Sequence, residues 1–422
     1  MSLSEKNTPD FSSYVALGDS VTSGYADGAL FYKGQQNAYS QIIARQFQLT
    51  SGGNFKQAFV SPGSVGIGFM GNSRMVLQNA KDCSGENVLI PKYIAAQGDL
   101  AAFATNTYPA QGPFNNMAVP GAKSVSLITP GYGNPNNGPG NFNPFFTRMA
   151  SNPLTASVLS DALAMSPGFF SLFIGNNDVL AFALSGATLD AVTPVSGPPG
   201  IGFTSSLLTL VNALTANGTQ GAIANIPDLR SIPYFTVVPY NGLLLDKAGA
   251  ALLNARYKNT GMMFREGNNS FVIEDITIPE GIRQACNEDL ILADVLLDAG
   301  KCNYMKAMKP IPEQYTLIAA EIEIIQNAVD AYNNCILSIA QQKGLAFVDV
   351  NSFIKTLSED SSYNETSCTI TYKKRGVFSL DGVHLSPFGQ ALLANVFIKA
   401  INTRYETLVP HVNILRYSGI IS

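Results

Sequence analysis

Residues 14–25 read YVALGDSVTSGY. Tyr14, Val15, Ala16 and Leu17 are a short β-favouring run that breaks at Gly18-Asp19-Ser20 and passes into small polar residues. A buried strand that ends in a tight turn delivers Ser20 to the carboxyl edge of a sheet, where open α/β folds bind their ligands. Gly18 is read as the residue that permits the turn. A helix beginning just after Ser20 points its free N–H groups at whatever Ser20 attacks. The bland alternative is an ordinary Gly-Asp-Ser turn after a strand.

The far end of the chain bears on that choice. Residues 379–387 read SLDGVHLSP, with Asp381 three residues before His384, and the chain holds only two histidines. A serine hydroxyl needs a base to act as a nucleophile at neutral pH, and imidazole is the usual one. The imidazole needs a partner to fix its tautomer and stabilise its charged form. Asp381 and His384 supply both from one short loop, unless they are a loop acid and a capping residue before Pro387.

Four short motifs in order resemble those of the SGNH hydrolases, also called GDSL esterases and lipases. The first is Gly18-Asp19-Ser20, with Ser20 in the nucleophile position and Val21 where the family name has Leu. The second is Asn116-Met117-Ala118-Val119-Pro120-Gly121-Ala122, with Gly121 in the place of the oxyanion-hole glycine. The third is Gly175-Asn176-Asn177-Asp178, which puts Asn177 rather than Asn176 in the oxyanion position. The last is Asp381-Gly382-Val383-His384. The resemblance implies a three-layer α/β/α, flavodoxin-like fold with a mostly parallel sheet. It also implies an oxyanion hole of Ser20, Gly121 and Asn177, and needs no cofactor and no metal. It says little about residues 50–110 or 230–315.

Composition narrows the class. The chain has 422 residues, 46% hydrophobic and only 13% charged, with a net charge of −4. It is long enough to bury a core, and we read it as one domain spanning 1–422. No basic patch suggests nucleic acid, and no stretch approaches the roughly 18 apolar residues of a membrane span. The N-terminus, MSLSEKNTPDFSS, lacks the apolar centre of a signal peptide. Low charge and abundant Gly, Asn, Ser and Thr nevertheless suit an exported protein. The resemblance to exported Bacteroidetes-type GDSL lipases, often lipoproteins, implies the same, with any membrane attachment through a lipid anchor. The five cysteines are Cys83, Cys286, Cys302, Cys335 and Cys368. They form no metal-site spacing. All five are read as free, with Cys286–Cys302 the alternative pairing in an exported protein.

Along the chain, Ile42, Ile43 and Phe47 fall on one face of a helix expected over 38–47. Residues 50–112 are too long for a simple connection and are read as an insertion overhanging the site. A second strand is expected over 114–119, and residues 130–144 read as loop. A helix is expected over 154–165. The apolar run 169–174 predicts a central parallel strand covered on both faces. Asp178 is read as capping a helix or bonding loop backbone. A helix is expected over 205–216 and a strand over 221–226. Residues 228–310 form a second long insertion, read as a lid or substrate-side wall, in which Met262 and Met263 are ordinary packing. A long helix is expected over 313–343, stopped by Gly344, then a strand over 345–350 ending near Asp349, read as a structural carboxylate. A polar loop to 378 and a helix from Pro387 to about 405 complete the pattern. His411 receives no role. Alternating strands and helices give βαβ units and a parallel sheet.

The residues point to attack by Ser20 on a carboxylic ester, of a lipid or an acylated carbohydrate, through an acyl-enzyme. An acyltransferase with the same triad and an inactive glycan-binding surface protein are the other readings. The sequence leaves the ester unspecified.

Overall fold

Tyr14, Val15, Ala16 and Leu17 are all buried and with Gly18 form strand β1 (Tyr14–Gly18). The computed structural model describes residues 8–421 apart from 84, 104, 190, 299, 360–361, 364–365 and 368–375. After β1 come the short helix α1 (Ser20–Ser23) and the amphipathic α2 (Tyr39–Gln48). An antiparallel hairpin follows, β2 (Met75–Lys81) with β3 (Asn87–Tyr93). Strand β4 (Phe169–Phe173) leads into α3 (Asn177–Leu184), then α4 (Phe203–Thr215) and β5 (Gln220–Ala224). After the second insertion come α5 (Ala319–Lys343), β6 (Ala346–Val348), α6 (Val350–Glu359) and α7 (Pro387–Tyr405).

The sheet is parallel in the order β1-β4-β5-β6. Residues 115–119 run beside the free edge of β1, where Ala16 bonds Asn115 and Met117, and Val119 bonds Gly18. That edge contributes one bridge, Ala16 to Asn116, rather than the full strand expected over 114–119. Counting it, the order by sequence is 2-1-3-4-5, the flavodoxin-like arrangement. Helices α2 and α7 pack together on one side, and α3, α4 and α5 make the other layer. Among the described residues no helix is long and apolar enough to cross a membrane.

Strand β4 is buried along its whole length, as a central strand between two helix layers must be. Each fully buried Phe contributes up to about 3 kcal/mol, so the Phe-rich β4 is held mainly by area removed from water. Its one hydroxyl, Ser171 Oγ, is matched by Tyr14 Oη at 2.7 Å. Phe47 of α2 stacks on Phe11 and meets Tyr14 and Phe169 edge-on, which fixes that helix to the sheet.

Several boundaries differ from the sequence expectation. The helix expected over 154–165 is Val158–Ala164, because Ser157 caps its N-terminus. The long helix begins at Ala319 rather than 313, since Thr316–Leu317 pairs with Leu290–Ile291 and so belongs to the second insertion. Gly344 does cap it in the left-handed conformation. Part of the expected loop 351–378 is helix α6. Met262 packs in the apolar cluster of the second insertion, whereas Met263 is exposed.

The cysteine reading is also corrected. Cys83, in the turn of the β2–β3 hairpin, forms a disulfide with Cys302, and Cys286 and Cys335 are free. The partners lie 219 residues apart, one in each insertion, so only the meeting of the insertions brings them together. Cys368 lies outside the described residues.

Gly18 has a different reason from the one read in the sequence. Its backbone needs no positive φ. A Cβ there would lie 2.3 Å from Thr22 Oγ1 and 2.5 Å from the Phe173 carbonyl, so only hydrogen fits where β1 meets β4. Gly18→Ala is expected to cost about 1–3 kcal/mol, the usual range for overpacking. A urea unfolding midpoint equal to that of the parent would show that the contact relaxes freely.

Candidate active site

Strand β1 ends at Gly18, and Asp19 caps α1 by accepting the Val21 N–H at 3.0 Å. The other Asp19 oxygen accepts from Asn176 Nδ2 at 2.8 Å. Burial pushes the Asp19 carboxyl up to about 6, although both hydrogen bonds favour its charged form. Asp19 therefore ties the end of β1 to the end of β4. Ser20 is the first residue of α1 and is almost fully buried.

Asp381 and His384 meet as the sequence spacing suggests. His384 Nδ1 lies 2.9 Å from Asp381 Oδ2. The same oxygen accepts from the Gly28 N–H at 2.8 Å. Oδ1 accepts from Ser379 Oγ and from the Val383 and His384 N–H groups, at 3.0, 2.9 and 2.8 Å. Burial alone would raise this carboxyl, but the His384 charge and this set of donors hold it well below the usual carboxylate range. An ionised carboxylate only accepts, so Nδ1 carries a hydrogen, and in the neutral ring the lone pair is on Nε2.

Gly121 follows the 115–119 edge and has φ +78°, a conformation that favours glycine. A Cβ there would also lie 2.8 Å from Phe69 Cε1. Asn177 opens α3, and its Nδ2 donates to the Ala122 carbonyl at 3.1 Å, next to Gly121. Asp178 accepts from the Ser124 N–H and hydroxyl, the loop-bonding role read for it. Asp349, bonded to Asn225, is likewise structural.

Two cavities meet at His384. A small one is lined by Ser20, Asn176, Val383 and His384. A large one, of about 800 Å³, is lined by His384, Gly121 and Asn177 and by residues of both insertions. Tyr25 stands between His384 and Phe69, with ring centroids 4.6 Å from the imidazole and 4.9 Å from Phe69. Among the described residues, no group of three or more His, Cys, Asp or Glu side chains is placed to hold a metal ion.

The sequence reading passes over Asp27 and Gly28, because an Asp-Gly pair is an ordinary turn signal. Their contacts with the Asp381 loop lie 352 or 353 residues away. Asp27 Oδ1 accepts the Leu380 N–H at 2.9 Å, and the Asp27 N–H donates to Ser379 Oγ, which itself bonds Asp381. Asp27 is buried, and its Oδ2 has no hydrogen-bond partner among the described residues. Burial pushes its carboxyl up to about 7, with the Leu380 bond, Arg74 and His384 opposing and Asp381 reinforcing.

An acid raised this far keeps its proton in the fold where the unfolded chain has released it. Between about pH 4 and pH 7 the folded state binds more protons, so stability falls as pH rises through that window. Asp27→Asn removes the titration and keeps the acceptor for Leu380. Melting temperatures should then fall less from pH 5 to pH 8 than in the parent, by about 2 °C or more. Equal slopes in the two proteins would remove Asp27 from the account.

The sequence profile described as GDSL-like lipase/acylhydrolase matches residues 14–397. No curated protein matches the chain. Among solved structures, similarity is found to LAE5, an α/β hydrolase from the metagenome of Lake Arreo, Spain. It is 12% identical, with 92% of this chain and 94% of that one covered and a TM-score of 0.35. A putative GDSL-like lipase from Parabacteroides merdae is 13% identical over 94% and 98% of the two chains, at a TM-score of 0.33. An extracellular lipase from Streptomyces rimosus is 13% identical over 93% and 98%, at 0.34. With the profile spanning nearly the whole chain and its motifs gathered at one sheet edge, this protein belongs to the GDSL-like lipase/acylhydrolase family.

Proposed function

We propose that the chain hydrolyses carboxylic esters of lipids or acylated carbohydrates through Ser20, His384 and Asp381. The observation that carries this reading is the placement of His384. Its Nδ1 is held by Asp381 at 2.9 Å, and its ring lines one cavity with Ser20 and another with Gly121 and Asn177.

Ser20 Oγ attacks the acyl carbon, and its proton passes to His384 Nε2. The carbonyl oxygen takes up the negative charge. The N–H groups of Ser20 and Gly121 and the amide of Asn177 stabilise it. Asn177 has two amide hydrogens; one serves the Ala122 carbonyl and the other is assigned to the oxyanion. The tetrahedral species collapses, the alcohol leaves with the proton from His384, and an acyl ester of Ser20 remains. Water then attacks with His384 again as base, and the acid is released. Asp381 stays ionised throughout and stabilises the imidazolium.

We also propose that the protein is exported, to the periplasm or the cell surface, with a lipid anchor as the membrane attachment. The Cys83–Cys302 disulfide supports this, because disulfides persist in oxidising compartments. Recovery of the native protein from cytosolic fractions alone would overturn it.

A fluorophosphonate probe should label Ser20, mapped by peptide mass spectrometry, and nitrophenyl esters should be turned over. Ser20→Ala and His384→Ala are expected to lower kcat at least about 10⁴-fold, and undiminished turnover in either folded variant would refute the reading. Asn177→Ala should lower kcat about 10²–10³-fold, the usual effect of losing one oxyanion donor. A change confined to KM would remove Asn177 from the oxyanion hole.

A further inference from the structure

The large cavity at His384 has an unusual construction. Its floor comes from the sheet edge, with Gly121, Asn177 and His384. One wall comes from the first insertion, where Val88, Leu89, Ile90 and Tyr93 lie on the β2–β3 hairpin. The facing wall comes from the second insertion, with Ala293, Leu296, Leu297 and Met305. Both walls are predominantly aliphatic. Asp294 on the second wall is an exposed residue, and its carboxyl interacts with the Tyr234 hydroxyl. The two walls belong to parts of the chain more than 200 residues apart, and Cys83–Cys302 joins them covalently.

The first wall is weakly held from below, whereas the second rests on the fully buried Leu292 and Val295. The hairpin is a two-stranded sheet apart from the main one, and an isolated hairpin is at best marginally stable in water. Leu89, on the hairpin, and Leu297, on the facing wall, are both largely exposed. The disulfide limits how far the walls can separate, and so how completely they desolvate what lies between them.

We propose that the Cys83–Cys302 disulfide fastens the two insertions into one cover over an acyl site, and thereby sets selectivity for esters of medium to long aliphatic acids over acetate. The occupant is the aliphatic acyl chain, because the cavity is apolar and starts at His384, Gly121 and Asn177, three of the groups assigned to the reacting ester. This inference rests on the ester-hydrolase reading above. With the cover closed, each added methylene is worth up to about fourfold in kcat/KM, the equivalent of about 0.8 kcal/mol per buried CH₂. With the walls unlinked the chain is less completely desolvated, and that increment shrinks.

The test compares kcat/KM for nitrophenyl octanoate and acetate, with active sites counted by fluorophosphonate titration. The full-length protein should favour octanoate at least tenfold. Cys83→Ser/Cys302→Ser should lower the octanoate-to-acetate ratio at least fivefold, as should the parent protein reduced with a phosphine and alkylated after folding. Circular dichroism reports whether each is folded. Leu89→Glu/Leu297→Glu, which places charge in each wall at exposed positions and leaves the disulfide intact, should lower the ratio by a similar factor. This variant decides the matter if the thiol forms unfold. A parent that shows no octanoate preference overturns the inference, as does a ratio unmoved in every folded form. A parent that neither labels nor turns over any ester instead overturns the hydrolase reading itself.

Discussion

The carboxylate of Asp381 is the group on which the site depends. It accepts from the His384 ring, three backbone N–H groups and the Ser379 hydroxyl. A buried carboxylate without partners would take up a proton rather than remain charged. With these donors it stays ionised, and its charge fixes which imidazole nitrogen carries hydrogen. The donors come from both ends of the chain, since Gly28 lies just past α1 and the others lie just before α7. Closing the fold adds the Gly28 N–H to the donors that the loop itself supplies to Asp381.

Asp381 lies near two buried acids, Asp19 and Asp27, and their environments differ. Five donors and the His384 charge hold Asp381 low, whereas Asp19 has two donors and Asp27 has one, and burial raises both. Desolvation raises all three, and the hydrogen bonds and the His384 charge decide how far each carboxyl is lowered against it.

The two insertions use a different physics. The sheet and its helices are held by a continuous apolar core, while the second insertion packs largely around a cluster of its own, including Leu253, Phe271, Val272 and Ile273. Arg283 adds a local clamp, with ion pairs to Asp275 and Asp289 at 2.6 Å each. The cavity lies where these parts meet the sheet edge. Its floor therefore carries His384, Gly121 and Asn177.

The fold was legible in the sequence where a local pattern carried it. The continuous apolar run of β4, the 3.6-residue spacing of α2 and α5 and the glycine stop at 344 each depend on neighbours a few residues away. Asp381 and His384 were legible for the same reason, being three residues apart on one loop. The boundary at 319 was missed because tertiary strand pairing decides where that helix begins, and the one at 350 because Asp349, read within a strand, caps the helix that follows it. Asp27, the Cys83–Cys302 pair and the steric need for Gly18 were not legible, since each rests on a partner that only the folded chain brings near. By itself the sequence determined the alternation of elements, three motifs at the sheet edge and a fourth on a loop, because backbone periodicity and turn chemistry are local. The tertiary structure decided in which direction each carboxyl is shifted, which cysteines join and what encloses the site, because desolvation and contact depend on distance in space rather than along the chain.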